Sequence, residues 1–149
     1  MAYEEKYMKK AIALAKKAYA LDEVPVGAVI VSQGNVIASA YNKRESSKNA
    51  TAHAEILAIQ KACKKLDDFR LTNAEMYVSL EPCVMCTGAI LNSRIEKVYF
   101  GAHITNGSIS AKELTERAEL NHKTEFVGGY LEEECSSLVS NYFKQKRNK

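Results

Sequence analysis

The chain has 149 residues, 46% of them hydrophobic and 26% charged, with 21 basic residues against 18 acidic ones for a net charge of +3. This composition excludes a disordered chain, and four cysteines are too few to staple a scaffold of this size. The small basic excess excludes nothing, because a few surplus lysines are most often a solvated surface.

Tyr3, Tyr7, Ala11, Leu14, Ala15 and Ala18 recur at spacings of three and four, which predicts an amphipathic opening helix. Lys6, Lys9, Lys10, Lys16 and Lys17 make it unlike a signal peptide or a membrane span. A reducing cytoplasm is therefore expected, where cysteines are thiols or metal ligands. Pro25 follows, where the chain must turn. Val26 to Val31 and Val36 to Tyr41 read as strands around the turn chemistry of Ser32-Gln33-Gly34-Asn35, giving a hairpin. Asn42 to Asn49 is a polar loop. Ala52 to Lys65 is helical, with Ile56, Ile59, Ala62 and Cys63 on one side. Glu75 to Leu80 reads as a buried strand, and Pro82 opens a helix running to about Asn92. A strand at Val98 to Gly101, a helix at Ala111 to Leu120, a strand at Glu125 to Val127 and a helix at Leu131 to Lys146 complete the pattern. The layout is one α/β domain over residues 1–149: a hairpin, then strands alternating with helices that cover both faces of a mixed five-stranded sheet.

Two segments carry chemistry: Thr51-Ala52-His53-Ala54-Glu55, and Leu80-Glu81-Pro82-Cys83-Val84-Met85-Cys86. Cysteines three apart at a helix start lie on one face, so both sulfurs reach one ion. The helix N-terminus favours thiolate, the form that binds metal. His53 supplies a third ligand, leaving the fourth tetrahedral position of zinc for water. Residues two apart on a regular helix point about 200° apart, so His53 and Glu55 are expected to straddle an irregular first turn. Glu55 then stands beside the water as a proton carrier.

Each piece has a plainer reading. A lone histidine is more often a core residue than a ligand, and a Cys-x-x-Cys pair is as readily a structural half-site or a redox pair. Their joint appearance by chance in this composition is roughly 4 in 10,000, which favours one site built from both segments. A closed structural site would need a fourth cysteine or histidine. Cys63 and Cys135 have no partner spacing and read as packing residues, and His103 and His122 fall in loops.

At these residues the chain resembles the zinc-dependent cytidine/adenosine deaminase superfamily, whose signature is H-x-E followed by P-C-x-x-C. Within it the likeness is to the bacterial enzymes that convert the wobble adenosine of a tRNA anticodon to inosine. It extends through Glu23-Val24-Pro25-Val26-Gly27-Ala28, Thr87-Gly88-Ala89, Ser93-Arg94-Ile95, Asn121-His122 and Glu134-Cys135. The resemblance implies a three-layer α/β/α cytidine-deaminase-like fold. It implies one catalytic Zn2+ per subunit on His53, Cys83 and Cys86, with Glu55 as proton shuttle. Substrate contacts are implied from Asn42, Ala54 (through its backbone) and Asn121. The implied partner is a tRNA anticodon stem-loop, bound by a cytoplasmic homodimer in which contacts can cross the interface, with no membrane and no organic cofactor. The aromatic pair Tyr142-Phe143 and the basic tail Lys144 to Lys149 suit an RNA loop, but the pair reads somewhat better as docking the last helix, and such a tail is as often a solubilising terminus.

One position departs from the family. After Gly101-Ala102-His103, Ile104 stands where the tRNA enzymes carry aspartate, and it cannot hydrogen-bond a ribose. A deaminase of a free nucleobase or nucleoside (guanine, cytosine or adenosine) is therefore the alternative. A non-catalytic zinc module is a third reading, against which Glu55 argues.

Overall fold

The computed structural model describes residues 2–148. Lys149, the last residue of the basic tail, lies outside the described residues. In chain order the elements are α1 (Glu5–Ala20), β1 (Gly27–Ser32), β2 (Asn35–Tyr41), α2 (Ala54–Leu66), β3 (Ala74–Leu80), α3 (Val84–Asn92), β4 (Lys97–Ala102), α4 (Ala111–Arg117), β5 (Glu125–Val127) and α5 (Glu132–Arg147).

The β1–β2 hairpin closes on Gln33 and Gly34, both at positive φ, the backbone of the tight turn that matches strand twist. The sheet order is β2-β1-β3-β4-β5. β1 runs antiparallel to β2 and β3, whereas β3, β4 and β5 are mutually parallel. The expected mixed five-stranded sheet is present.

Strand alternation divides the core into two. Ala28, Ile30, Met76, Val78, Val98 and Phe100 face α2, α3 and α4, packing on Ala54, Ala58, Ala62 and Ile90. Val29, Val31, Tyr77 and Tyr99 face the other way, onto α1 through Tyr7, Met8, Ala11 and Ile12 and onto α5 through Cys135. Three layers result. Two glycines let layers touch: a Cβ on Gly27 would stand 2.1 Å from the Ala11 carbonyl of α1, and one on Gly101 would stand 2.4 Å from Cys135 Sγ. Cys135 is thus a packing residue, as expected. Cys63 is also one, half-buried with its thiol donating to the Phe69 carbonyl at 3.7 Å.

Element boundaries differ from expectation where caps decide them. α2 begins at Ala54 because His53 holds an extended backbone (φ −78°, ψ 151°) as its N-cap. Pro82 is not the first helical residue of α3. Cys83, at ψ 178°, is the N-cap and its carbonyl accepts the Thr87 N–H at 2.8 Å, so Pro82 lies outside the helix. α4 stops at Arg117, where Ala118 turns extended. Among the described residues no helix is long and apolar enough to cross a membrane.

Candidate metal centre and its surroundings

Strand directions gather the site at one end of the sheet. The start of β1 and the ends of β2, β3 and β4 share that end, since Gly27 pairs with Tyr41, Ala28 with Val78 and Leu80 with Ala102. The chain leaves β2 through Asn42 to reach His53, and leaves β3 through Glu81 and Pro82 to reach Cys83. Two helix N-termini thereby converge.

His53 Nδ1 lies 3.7 Å from Cys83 Sγ and 3.5 Å from Cys86 Sγ. All three donor atoms fall within 4.8 Å of one another. A tetrahedral ion with bonds of about 2.3 Å to sulfur and 2.0–2.1 Å to nitrogen would separate S and N donors by about 3.6 Å. The triad therefore fits zinc in spacing and in donor type. Among the described residues no carboxylate joins the triad within that span, so the set stops at three ligands.

Electrostatics agree. Hydrogen bonding from Cys86, then from His53 and the α3 backbone, holds the Cys83 thiol down to about 4. Cys86 shifts strongly upward in response, because it donates the proton that the two sulfurs share. The hydrogen bond to Cys83 raises the His53 imidazole despite its burial. Metal binding displaces these protons.

Glu55, in the first turn of α2, is 4% exposed, and burial raises its carboxyl to about 7. A group poised there both accepts and donates a proton near neutral pH. With His53 at the cap and Glu55 inside the first turn, the two straddle the irregular start of α2, as expected.

Asn42 is buried, and its Oδ1 accepts the Ala54 N–H at 2.8 Å. The two sequence-predicted substrate contacts Asn42 and Ala54 are therefore joined to each other and to the start of α2. Asn121 is not brought to them. It is exposed in the segment before β5, whose neighbour His122 places Nε2 2.8 Å from the Ile95 carbonyl, at the opposite end of the parallel strands. Tyr142 does not face outward either. It is buried and donates to the Asp22 carbonyl at 3.1 Å, and Lys146 pairs with the Asp22 carboxylate at 2.7 Å, whereas Phe143 is 43% exposed.

Sequence reasoning missed two buried carboxylates beside the site. Both oxygens of Glu23 are used, accepting the N–H groups of Glu45 (3.0 Å) and Ser46 (2.7 Å) in the β2–α2 loop. Glu81 does the same for the β4–α4 loop through Ile104 and Ala111. Both lie inside the quoted motifs, and the available signal was an acidic residue one or two places before a proline at an element boundary. A cavity of about 450 Å3 opens at this end of the sheet, lined by Leu80, Ile104, Asn106, Val139, Phe143 and Arg147 among others. None of the three metal donors lines it.

The family model described as the cytidine and deoxycytidylate deaminase zinc-binding region matches residues 1–102. The chain is 48% identical over 151 aligned residues to the tRNA-specific adenosine deaminase of Bacillus subtilis (strain 168), covering all of this chain and 94% of the relative. It is 44% identical to the Aquifex aeolicus (strain VF5) protein of the same name, with 97% of each covered. Among solved structures it is similar to one from work on A-to-I editing by tRNA:A34 deaminases at the wobble position (TM-score 0.86, 37% identity, 91% of this chain and 99% of that one). It is also similar to the guanine deaminase of Nitrosomonas europaea (TM-score 0.82, 26% identity, 95% and 85% covered).

Proposed function

The chain belongs to the cytidine and deoxycytidylate deaminase zinc-binding family, and from that premise we propose that it hydrolyses the wobble adenosine of a tRNA anticodon to inosine with release of ammonia. The observation that carries the chemistry is the three-ligand set of His53, Cys83 and Cys86 beside the buried Glu55 carboxyl. Full-length likeness to tRNA-specific adenosine deaminases, at 48% and 44% identity, supports the choice of substrate.

His53, Cys83 and Cys86 would hold one zinc ion per subunit. When bound, it supplies a water made nucleophilic near neutral pH. Glu55 accepts one proton as the nucleophile attacks C6 and delivers it to N1 of the purine, then carries the proton left on the C6 oxygen to the departing amine. Adenosine and water thus become inosine and ammonia. Asn42, its Oδ1 occupied by Ala54, offers the base its Nδ2 donors.

The active form is a homodimer. α3 leaves Val84 and Gly88 exposed and Met85 and Ala89 only half-buried, an apolar helix face that no element among the described residues covers fully. Dimerisation is also the route by which Asn121 of the partner subunit, remote from the site of its own chain, contributes to RNA binding. Such a substrate places the enzyme in the cytoplasm.

The test offers the purified zinc protein an anticodon stem-loop with A at the first anticodon position, beside free adenosine, guanine and cytosine. Inosine at the wobble position, without free-base turnover, is the expected result. Turnover of a free base with none on the stem-loop overturns the reading. It would support the alternative that Ile104 and the likeness to a guanine deaminase favour, a free-nucleobase deaminase.

A further inference from the structure

Glu81 is 5% exposed and lies between Leu80, the last residue of β3, and the Pro82-Cys83 turn into the metal triad. Its Oε1 accepts the Ile104 N–H at 3.0 Å and its Oε2 accepts the Ala111 N–H at 3.0 Å, while its own N–H donates to the Ala102 carbonyl at 2.8 Å. Both ends of the 103–110 loop are thereby fastened to the residue two places before Cys83. This loop supplies one wall of the cavity at the site end of the sheet, through Ile104 and Asn106, facing Phe143 and Arg147 of α5. The carboxylate grips backbone N–H groups, so the hold does not depend on the side chain at position 104. An isoleucine there leaves the loop equally well fixed.

We propose that Glu81 is a positioning residue for substrate affinity: it fixes the 103–110 wall relative to the metal triad, so that substrate lodged against that wall meets the reacting centre in register. The proposal rests on the deaminase reading above. Glu81 acts on binding through the loop and takes no part in proton transfer.

Two variants test it. Glu81→Gln keeps one acceptor and turns an amide N–H toward the second backbone N–H. Glu81→Asp keeps the carboxylate but draws it back by one methylene, so that it no longer spans both backbone N–H groups. Zinc content, melting temperature, amide exchange, kcat and KM are measured on the zinc-loaded proteins. The expected result for both is native zinc content, kcat within about twofold, a KM for the stem-loop raised about tenfold, and faster exchange at Ile104, at Ala111 or at both. An unchanged KM in both variants overturns the proposal. So does a fall in zinc content or kcat at constant KM, which would make Glu81 a support of the Cys83 turn alone. Absence of stem-loop turnover by the native chain overturns the functional reading instead, and KM is then compared on whichever free base the native chain converts. Equal exchange of both the Ile104 and the Ala111 amides in native and Glu81→Gln proteins overturns the clamp whatever the substrate.

Discussion

Replacing Asn42 separates two roles that the structure lays on one side chain. Asn42 is buried, and its Oδ1 takes the Ala54 N–H at 2.8 Å, one of the donors that the start of α2 cannot satisfy within the helix. Ala54 is fully buried, so Asn42→Ala strands a donor away from water, at a cost of about 1–3 kcal/mol. For a chain of this length each kcal/mol lowers Tm by about 2–4 °C, so a central value of 2 kcal/mol lowers it by about 4–8 °C. Asn42→Asp keeps an acceptor for the Ala54 N–H, which the N-terminal dipole of α2 assists, so it melts above Asn42→Ala. The aspartate has no Nδ2 donor. If that donor holds the base, Asn42→Asp loses substrate affinity without the full loss of stability. Calorimetric melting of the three proteins, followed by KM on the stem-loop, reads both effects. The reasoning fails if Asn42→Ala melts with the native chain, or if Asn42→Asp melts as low as Asn42→Ala.

Four further outcomes are expected. Glu55→Ala retains zinc but loses ammonia release by about 10²–10⁴-fold, the range typical of a positioned proton carrier, as zinc analysis and an ammonia assay would show. Gly27→Ala drives a Cβ to 2.1 Å from the Ala11 carbonyl and 2.8 Å from the Ala15 nitrogen, so α1 must shift, at a cost of about 3 kcal/mol and a Tm lower by about 6–12 °C. Burial pushes the Glu23 carboxyl up, but hydrogen bonds from the N–H groups of Glu45 and Ser46, with Arg44 nearby, bring it net below its ordinary value of 4.5. A carboxyl lowered by folding stabilises the native state above that value and loses this contribution as pH falls through the folded pKa, so Glu23→Gln flattens the acid limb of a stability-versus-pH curve below about pH 4.5. Finally, raising salt weakens stem-loop turnover far more than any free-base turnover, since only RNA binding releases counterions, and equal salt slopes would contradict an RNA substrate.

The ten elements could be read from periodicity and turn residues, which act over a few neighbours. The H-x-E and P-C-x-x-C segments likewise carry, each within a single turn, donor types that suit zinc. Boundaries were less readable. His53 and Cys83 leave their helices as caps because their backbones stay extended, a choice that local apolar spacing does not report.

What the sequence by itself determined was therefore the chemistry: two sulfurs, one imidazole and one carboxylate, with the strands and helices that carry them. Tertiary structure decided which of the remaining polar groups belong with that chemistry. Asn42 meets Ala54 because the loop leaving β2 folds back to start α2 at the same end of the sheet, and Asn121 falls at the other end because β5 runs parallel to β4. The roles of Glu23 and Glu81 depend on pairing across 22 to 30 residues of chain, which strand order fixes and local sequence does not encode.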